Sequence, residues 1–202
     1  MKIIHVITAL GLGGAETQLV TLAVSMRDAG HDVKVISLIP GGQNAKVLKE
    51  HGIEVLDLGM TGNLSLPIAF FRLKTILAND KPDIVQAWLY HAEFLTSLVY
   101  FFNKSFRFFW NIRGSVLDKK DHSQFLFLII RLLTVFSRFP TGIISNSNAG
   151  IDFHKKLGYK PSQWHLLYNA IDTNKFSPIA GSNIKLREDL GIDSSIPLIG
   201  AE

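Results

Sequence analysis

The opening of the chain constrains its fold most. Lys2-Ile3-Ile4-His5-Val6-Ile7-Thr8 reads as a buried strand, Gly11-Leu12-Gly13-Gly14-Ala15-Glu16 as a tight glycine loop, and Thr17 to Ala29 as a helix. A strand that turns through glycines into a helix makes a place for negative charge. The first backbone N–H groups of the helix have no internal partner and point outward. Glycines also let a ligand approach the backbone without Cβ collisions. The dinucleotide fingerprint Gly-x-Gly-x-x-Gly fails at its third glycine, where Glu16 stands. The second strand closes on Ser37-Leu38-Ile39-Pro40, without the acidic residue that holds a ribose hydroxyl. Both departures argue against a nicotinamide or flavin site. Glu16 suits the helix dipole whatever the function, and a plain connecting turn is the alternative reading of the loop.

The same strand–helix rhythm runs down the chain. Strands are predicted at Lys2–Thr8, Asp32–Leu38, Glu54–Asp57, Asp83–Gln86, Arg107–Ile112, Gly142–Ser145 and Trp164–Leu167. Helices are predicted at Ala15–Ala29, Ala45–His51, Leu66–Asn79, Ala92–Phe102, Ser123–Arg138 and Asn148–Leu157. Most strands are near-continuous hydrophobic runs, as in a parallel sheet covered on both faces. The pattern predicts an α/β fold, a doubly wound and mostly parallel sheet with helices on both faces. Residues 1–176 read as one such domain and 177–195 as a polar linker with a short helical piece near Ile184–Leu190. Residues 196–202 read as the opening strand of a further domain.

With 202 residues and 47% hydrophobic content the chain can bury a real core. It has no cysteine, hence no disulfide, thiolate metal site or cysteine nucleophile. The net charge is +4, and the excess is local: Tyr100 to Pro140 holds seven basic residues against two acidic ones and is rich in aromatics. Such a surface suits nucleic acid or an anionic membrane. No nucleic-acid reader motif is present and the basic residues do not line one helix face, so nucleic acid is not expected as a partner.

Gly13-Gly14-Ala15-Glu16, Trp88-Leu89-Tyr90-His91-Ala92 and Trp110-Asn111-Ile112-Arg113-Gly114-Ser115 each follow a strand. Together with Ser145-Asn146-Ser147, Tyr168-Asn169-Ala170-Ile171-Asp172 and Phe176-x-Pro178, they resemble the group 1 (family 4) glycosyltransferases of GT-B fold. The family usually has glycine where Ala170 stands. The resemblance covers residues 1 to about 200 and implies the Rossmann-like, acceptor-side N-terminal half of a two-domain retaining enzyme. The nucleotide-sugar donor, of UDP or GDP type, would then bind mostly to a C-terminal donor-binding half. That half would also carry the paired glutamates and the Arg and Lys clamp, so the N-terminal half alone would be inactive. The acceptor would be a glycan or a lipid-linked saccharide in polysaccharide biosynthesis. Neither a cofactor nor a metal is implied. A cytoplasmic enzyme is expected, peripheral at the inner face of the cell membrane if the basic, aromatic surface docks there.

His91 is the candidate catalytic residue, orienting a sugar hydroxyl, with helix capping as its plain alternative. Substrate contacts are assigned to Gly13, Gly14, Glu16, Trp88, Arg113 and Ser147. Trp88 is read as a stacking surface for a sugar ring or as core. Arg113 is read as a phosphate or carboxylate fork or as a solvated arginine, and Ser147 as a ligand contact or a helix N-cap. Asn169 and Asp172 are read as shaping the chain's exit. Phe125 to Leu133 is apolar almost all round. It reads as a buried helix or as a membrane-facing element with Lys119, Lys120, Arg131 and Arg138, and Leu64 to Leu77 is a second such candidate. Besides glycosyl transfer, the sequence admits a sugar-nucleotide epimerase of the same fold, or a non-catalytic carbohydrate- or membrane-binding module.

Overall fold

The structure is a computed structural model and describes residues 1–114, 123–173, 177, 182–193 and 195–197. Seven strands, β1 (Lys2–Ile7), β2 (Asp32–Ser37), β3 (Glu54–Asp57), β4 (Ile84–Trp88), β5 (Arg107–Ile112), β6 (Gly142–Ser145) and β7 (Trp164–Leu166), form one sheet. Its order is β3-β2-β1-β4-β5-β6-β7 and every pairing is parallel. The helices between them are α1 (Gly14–Asp28), α2 (Gln43–Glu50), α3 (Leu66–Asp80), α4 (Tyr90–Phe102), α5 (Gln124–Phe136) and α6 (Asn148–Leu157). Met1–Asn169 is one compact unit. Ala170–Glu202 is a second, which holds α7 (Ser182–Leu190). The motif residue Ser115, the basic pair Lys119 and Lys120, the Phe176-x-Pro178 motif and most of the strand expected at 196–202 lie outside the described residues.

Two cores cover the two sheet faces. One joins Leu73 and Leu77 of α3, Leu95 and Val99 of α4, and Ile129 and Leu133 of α5 to sheet residues such as Ile4 and Trp110. The other packs Leu19 and Ala23 of α1 and Leu48 of α2 on Ile7, Val33, Val35 and Trp88. The strands are apolar on both faces because both faces are covered. The helix expected to be apolar all round splits its surface: Leu126, Ile129, Ile130 and Leu133 are buried, while Leu128, Leu132 and Val135 are exposed. Among the described residues no helix is long and apolar enough to cross a membrane.

Polar contacts tie the amino edge of the sheet. Lys34 of β2 meets Asp80 at 2.6 Å and Glu54 at 3.1 Å, and Lys2 of β1 meets Asp80 at 3.2 Å. These pairs moor the end of α3 under β1 and β2. At the opposite edge the glycine loop is pinned by the start of α2. The Asn44 backbone N–H donates to the Leu10 carbonyl at 3.0 Å, and its side-chain amide donates to the Gly11 carbonyl at 2.5 Å. Gly42 makes this approach possible. Its φ is +101°, and a Cβ there would collide with the Leu10 carbonyl.

Gly42→Ala is therefore expected to cost about 3 kcal/mol, combining left-handed strain with a backbone clash. Gly41→Ala, at φ +82° with open space around it, is expected to cost about 1 kcal/mol. Urea unfolding of the two variants checks the difference.

Candidate active site

In a parallel sheet every strand-to-helix turn emerges at the carboxyl edge. Ligands bind there, at the point where the crossovers change direction. Here the change falls between β1 and β4, with α1 and α2 serving one face and α3 to α5 the other. A cleft of about 530 Å³ opens at that point. Thr8 after β1, Ile39 and Pro40 after β2, Met60 and Gly62 after β3, and His91 after β4 line it. The Thr8 hydroxyl is buried and has no hydrogen-bond partner among the described residues. Burial lowers the pKa of half-buried His91, so the ring is a neutral imidazole at neutral pH, able to donate from one nitrogen and accept at the other.

The turn that presents His91 is strained. Leu89 sits at φ +69°, ψ 152°, a region that side chains other than glycine rarely occupy and that costs about 1–3 kcal/mol. This break starts α4 at Tyr90 and not at the expected Ala92, so His91 lies in the first helical turn. Contacts on both sides hold the turn. Below it, Trp88 Nε1 donates to His5 Nδ1 at 3.2 Å. Burial holds His5 down to about 4, leaving its ring neutral and its Nδ1 free to accept. Beyond it, the Tyr90 hydroxyl lies 2.9 Å from His154 Nε2. His154 Nδ1 lies 2.8 Å from the Gly150 carbonyl, which can only accept. His154 therefore carries its proton on Nδ1, and Tyr90 donates to Nε2.

Trp88 is fully buried. It offers no face to a sugar, which corrects its assignment as a stacking surface. One ring face carries Arg113 instead, with the guanidinium carbon 4.7 Å from the ring centroid. Arg113 Nη1 donates to Asn169 Oδ1 at 2.5 Å, and its buried Nε has no partner among the described residues. Burial lowers the Arg113 pKa to about 10, which leaves it cationic at neutral pH. Among the described residues it has no carboxylate partner. Such a cation, held over an indole, is able to meet an anion. Ser147 caps α6, its hydroxyl accepting from the Gly150 N–H at 3.0 Å.

Gly13 is the N-cap of α1 and supplies no side-chain cap. The Glu16 carboxylate folds back against Gly13, where a Cβ would strike it. An anion approaching this turn would meet that carboxylate first. The strand topology places Gly14, His91, Arg113 and Ser147 on the same carboxyl edge. The sequence reading missed Thr8, Ile39 and the Met60–Gly62 segment as cleft residues, and Asn169 as the partner of Arg113. Their common signal is position, because nearly all lie just past a strand end.

Glu93 lies one helical step beyond Ala92 and is fully buried, with neither carboxylate oxygen hydrogen-bonded among the described residues. Burial pushes its carboxyl up to about 8, so it is mostly protonated at neutral pH. The folded state thus keeps a proton that the unfolded chain, at an ordinary 4.5, releases. The contribution of Glu93 to stability is fully present below about pH 4.5 and is lost as pH rises through about 8. Glu93→Gln should leave stability near wild type at about pH 4 and exceed it by a few kcal/mol at about pH 9. Chemical denaturation at the two pH values checks this.

A family model, Glycosyltransferase Family 4, matches residues 12–175. A search among curated proteins gives no significant match. Among solved structures the chain is similar to Anabaena Alr3699/HepE in complex with UDP, at 22% identity and TM-score 0.77, covering 95% of this chain and 50% of that one. It is similar to a glycosyltransferase from Rickettsia africae at 17% identity and TM-score 0.70, covering 97% and 51%. It also resembles UDP-GlcNAc 2-epimerase from Methanocaldococcus jannaschii, at 14% identity and TM-score 0.60, covering 84% and 46%. The chain thus spans about half the length of these proteins and has the Rossmann-like fold of one GT-B half. With its family match over most of its length and its parallel sheet, the chain belongs to glycosyltransferase family 4.

Proposed function

We propose that this chain forms the acceptor side of a nucleotide-sugar-dependent glycosyltransferase, with His91 at the floor of the acceptor cleft. The observation that carries this is the cleft at the crossover reversal, where a neutral imidazole and the buried Thr8 hydroxyl meet apolar walls. Convergent polar groups in a mostly apolar cleft suit a saccharide hydroxyl and its ring faces. Arg113 and the α1 N-terminus lie on the same edge and would face the donor's diphosphate and sugar across a domain cleft. HepE, whose structure holds UDP, supports a nucleotide-diphosphate donor.

In the transfer, the acceptor oxygen bonds to the sugar's anomeric carbon as its bond to the diphosphate breaks. The diphosphate leaves with the electron pair, and the acceptor's proton leaves with it or with a nearby base. Configuration would be retained, as in the group 1 enzymes the chain resembles. His91 orients the sugar through a hydrogen bond, and closure over the cleft would exclude competing water. Glu16 would swing from Gly13 as the donor arrives.

The test is transfer of labelled sugar from UDP-glucose and GDP-mannose to a membrane lipid extract. The 202 residues alone are expected to turn over nothing, and the same chain joined to a donor-binding half is expected to transfer. In that enzyme His91→Ala should lower kcat about 10–100-fold. Arg113→Ala should weaken use of the donor about 10-fold or more. Robust transfer by the 202 residues alone overturns the acceptor-side reading, and acceptor-independent epimerisation of UDP-GlcNAc replaces it with an epimerase.

A further inference from the structure

Outside the cleft lining, the layer of α3, α4 and α5 leaves large apolar side chains in solvent. Leu64, just ahead of α3, is 97% exposed, Phe71 63%, Phe102 70% and Val135 60%. Ring contacts form two clusters, one bridging α3 and α4 and the other bridging α4 and α5. Phe70 meets Phe71 at 5.2 Å and Phe102 at 5.7 Å. Phe101, beside Phe102 at the end of α4, meets Phe136 at 5.1 Å and Phe139 at 4.7 Å. Large exposed apolar side chains clustered in this way mark an interaction surface.

Charge selects the partner. Residues 58–79, 94–117 and 122–151 contain no Asp or Glu, yet they carry Arg72, Lys74, Lys104, Arg131 and Arg138. The carboxylates on the helices of this layer are accounted for. Glu93 is buried, Asp80 pairs with Lys34 and Lys2, and Asp152 sits on α6. Lys74 Nζ lies 5.2 Å from the centroid of the exposed Phe102 ring, so a cation and an insertable aromatic share one spot. Exposed phenyl rings among cations that have no ion-pair partner among the described residues match an interface of acyl chains beneath anionic headgroups.

We propose that this face seats the protein on an anionic membrane surface through Leu64, Phe71 and Phe102, with Lys74 and Lys104 on the headgroups. Leu64 lies two residues beyond Gly62 of the cleft wall, so docking brings the cleft mouth to the membrane. A saccharide carried on a lipid would then reach His91. That last step rests on the transferase reading, whereas membrane docking itself needs no turnover.

The test is co-sedimentation of the purified protein with phosphatidylcholine vesicles with and without phosphatidylglycerol. Binding is expected only with phosphatidylglycerol, weakening as salt rises. Phe71→Ser with Phe102→Ser, and Lys74→Glu with Lys104→Glu, should each lower the partition constant about tenfold or more. Leu64→Ser, at the most exposed site, should weaken binding without touching the core, and unchanged circular dichroism and melting show that the variants fold. Absence of binding to anionic vesicles, or equal binding by the variants, overturns the proposal. So does a dimer, formed without vesicles, that the double Phe variant disperses. Vesicle binding without glycosyl transfer would sustain this surface and count only against the proposed reaction.

Discussion

The structure depends on parallel hydrogen bonding between β1 and β4, the two central strands. Their register places Ile7 beside Trp88, so both strands end at one level and both following turns open at one edge. Right-handed crossovers leave this junction in opposite directions, α1 and α2 to one face and α3 onward to the other. No connecting helix can then cover the gap above the two strand ends. The cleft is that gap, and its walls are whatever follows each strand. Thr8, the Leu38–Pro40 turn, the Met60–Gly62 turn and His91 converge because the hydrogen-bond ladder brings their strands side by side.

Around the cleft the protein holds its side chains from below and behind. Trp88 is gripped by His5 and in turn supports Arg113. Tyr90 is held by His154, whose other nitrogen is committed to α6's own backbone. These contacts fix the residues on either side of Leu89 and sustain its unfavourable backbone angle. A strained turn between two held side chains leaves His91 little freedom, which is what a positioning group requires. The same neighbourhood buries Glu93 without a hydrogen-bond partner among the described residues. An unpaired buried carboxyl is tolerated because it keeps its proton.

The outer layer follows a different logic. Its helices bury one side in the sheet core and leave an aromatic, cation-bearing side uncovered. An ordinary solvated helix face mixes both signs of charge, and here one sign is absent from long stretches of chain. The apolar strip and the missing carboxylates are independent observations, and they agree on an anionic, partly apolar neighbour.

Much of this was legible in the residues alone. Alternation of apolar runs with helical stretches is a local property, so the seven strands and the helices between them could be read within a few residues. The parallel sheet followed, because strands apolar on both faces require two covers. The motifs after β1, β4 and β5 identified the family and the edge on which His91 and Arg113 lie. Other features depended on contacts between segments far apart in the chain. Trp88 became core because β1 supplied His5 eighty-three residues earlier, and no local pattern reports that. Asn169 became the holder of Arg113 only when β6 paired with both β5 and β7 and the turns after these strands emerged on one edge. The helix over Phe125–Leu133 looked uniformly apolar in sequence. Only packing decided which of its faces the sheet would cover, since burial is a relation between elements and periodicity is a property of one.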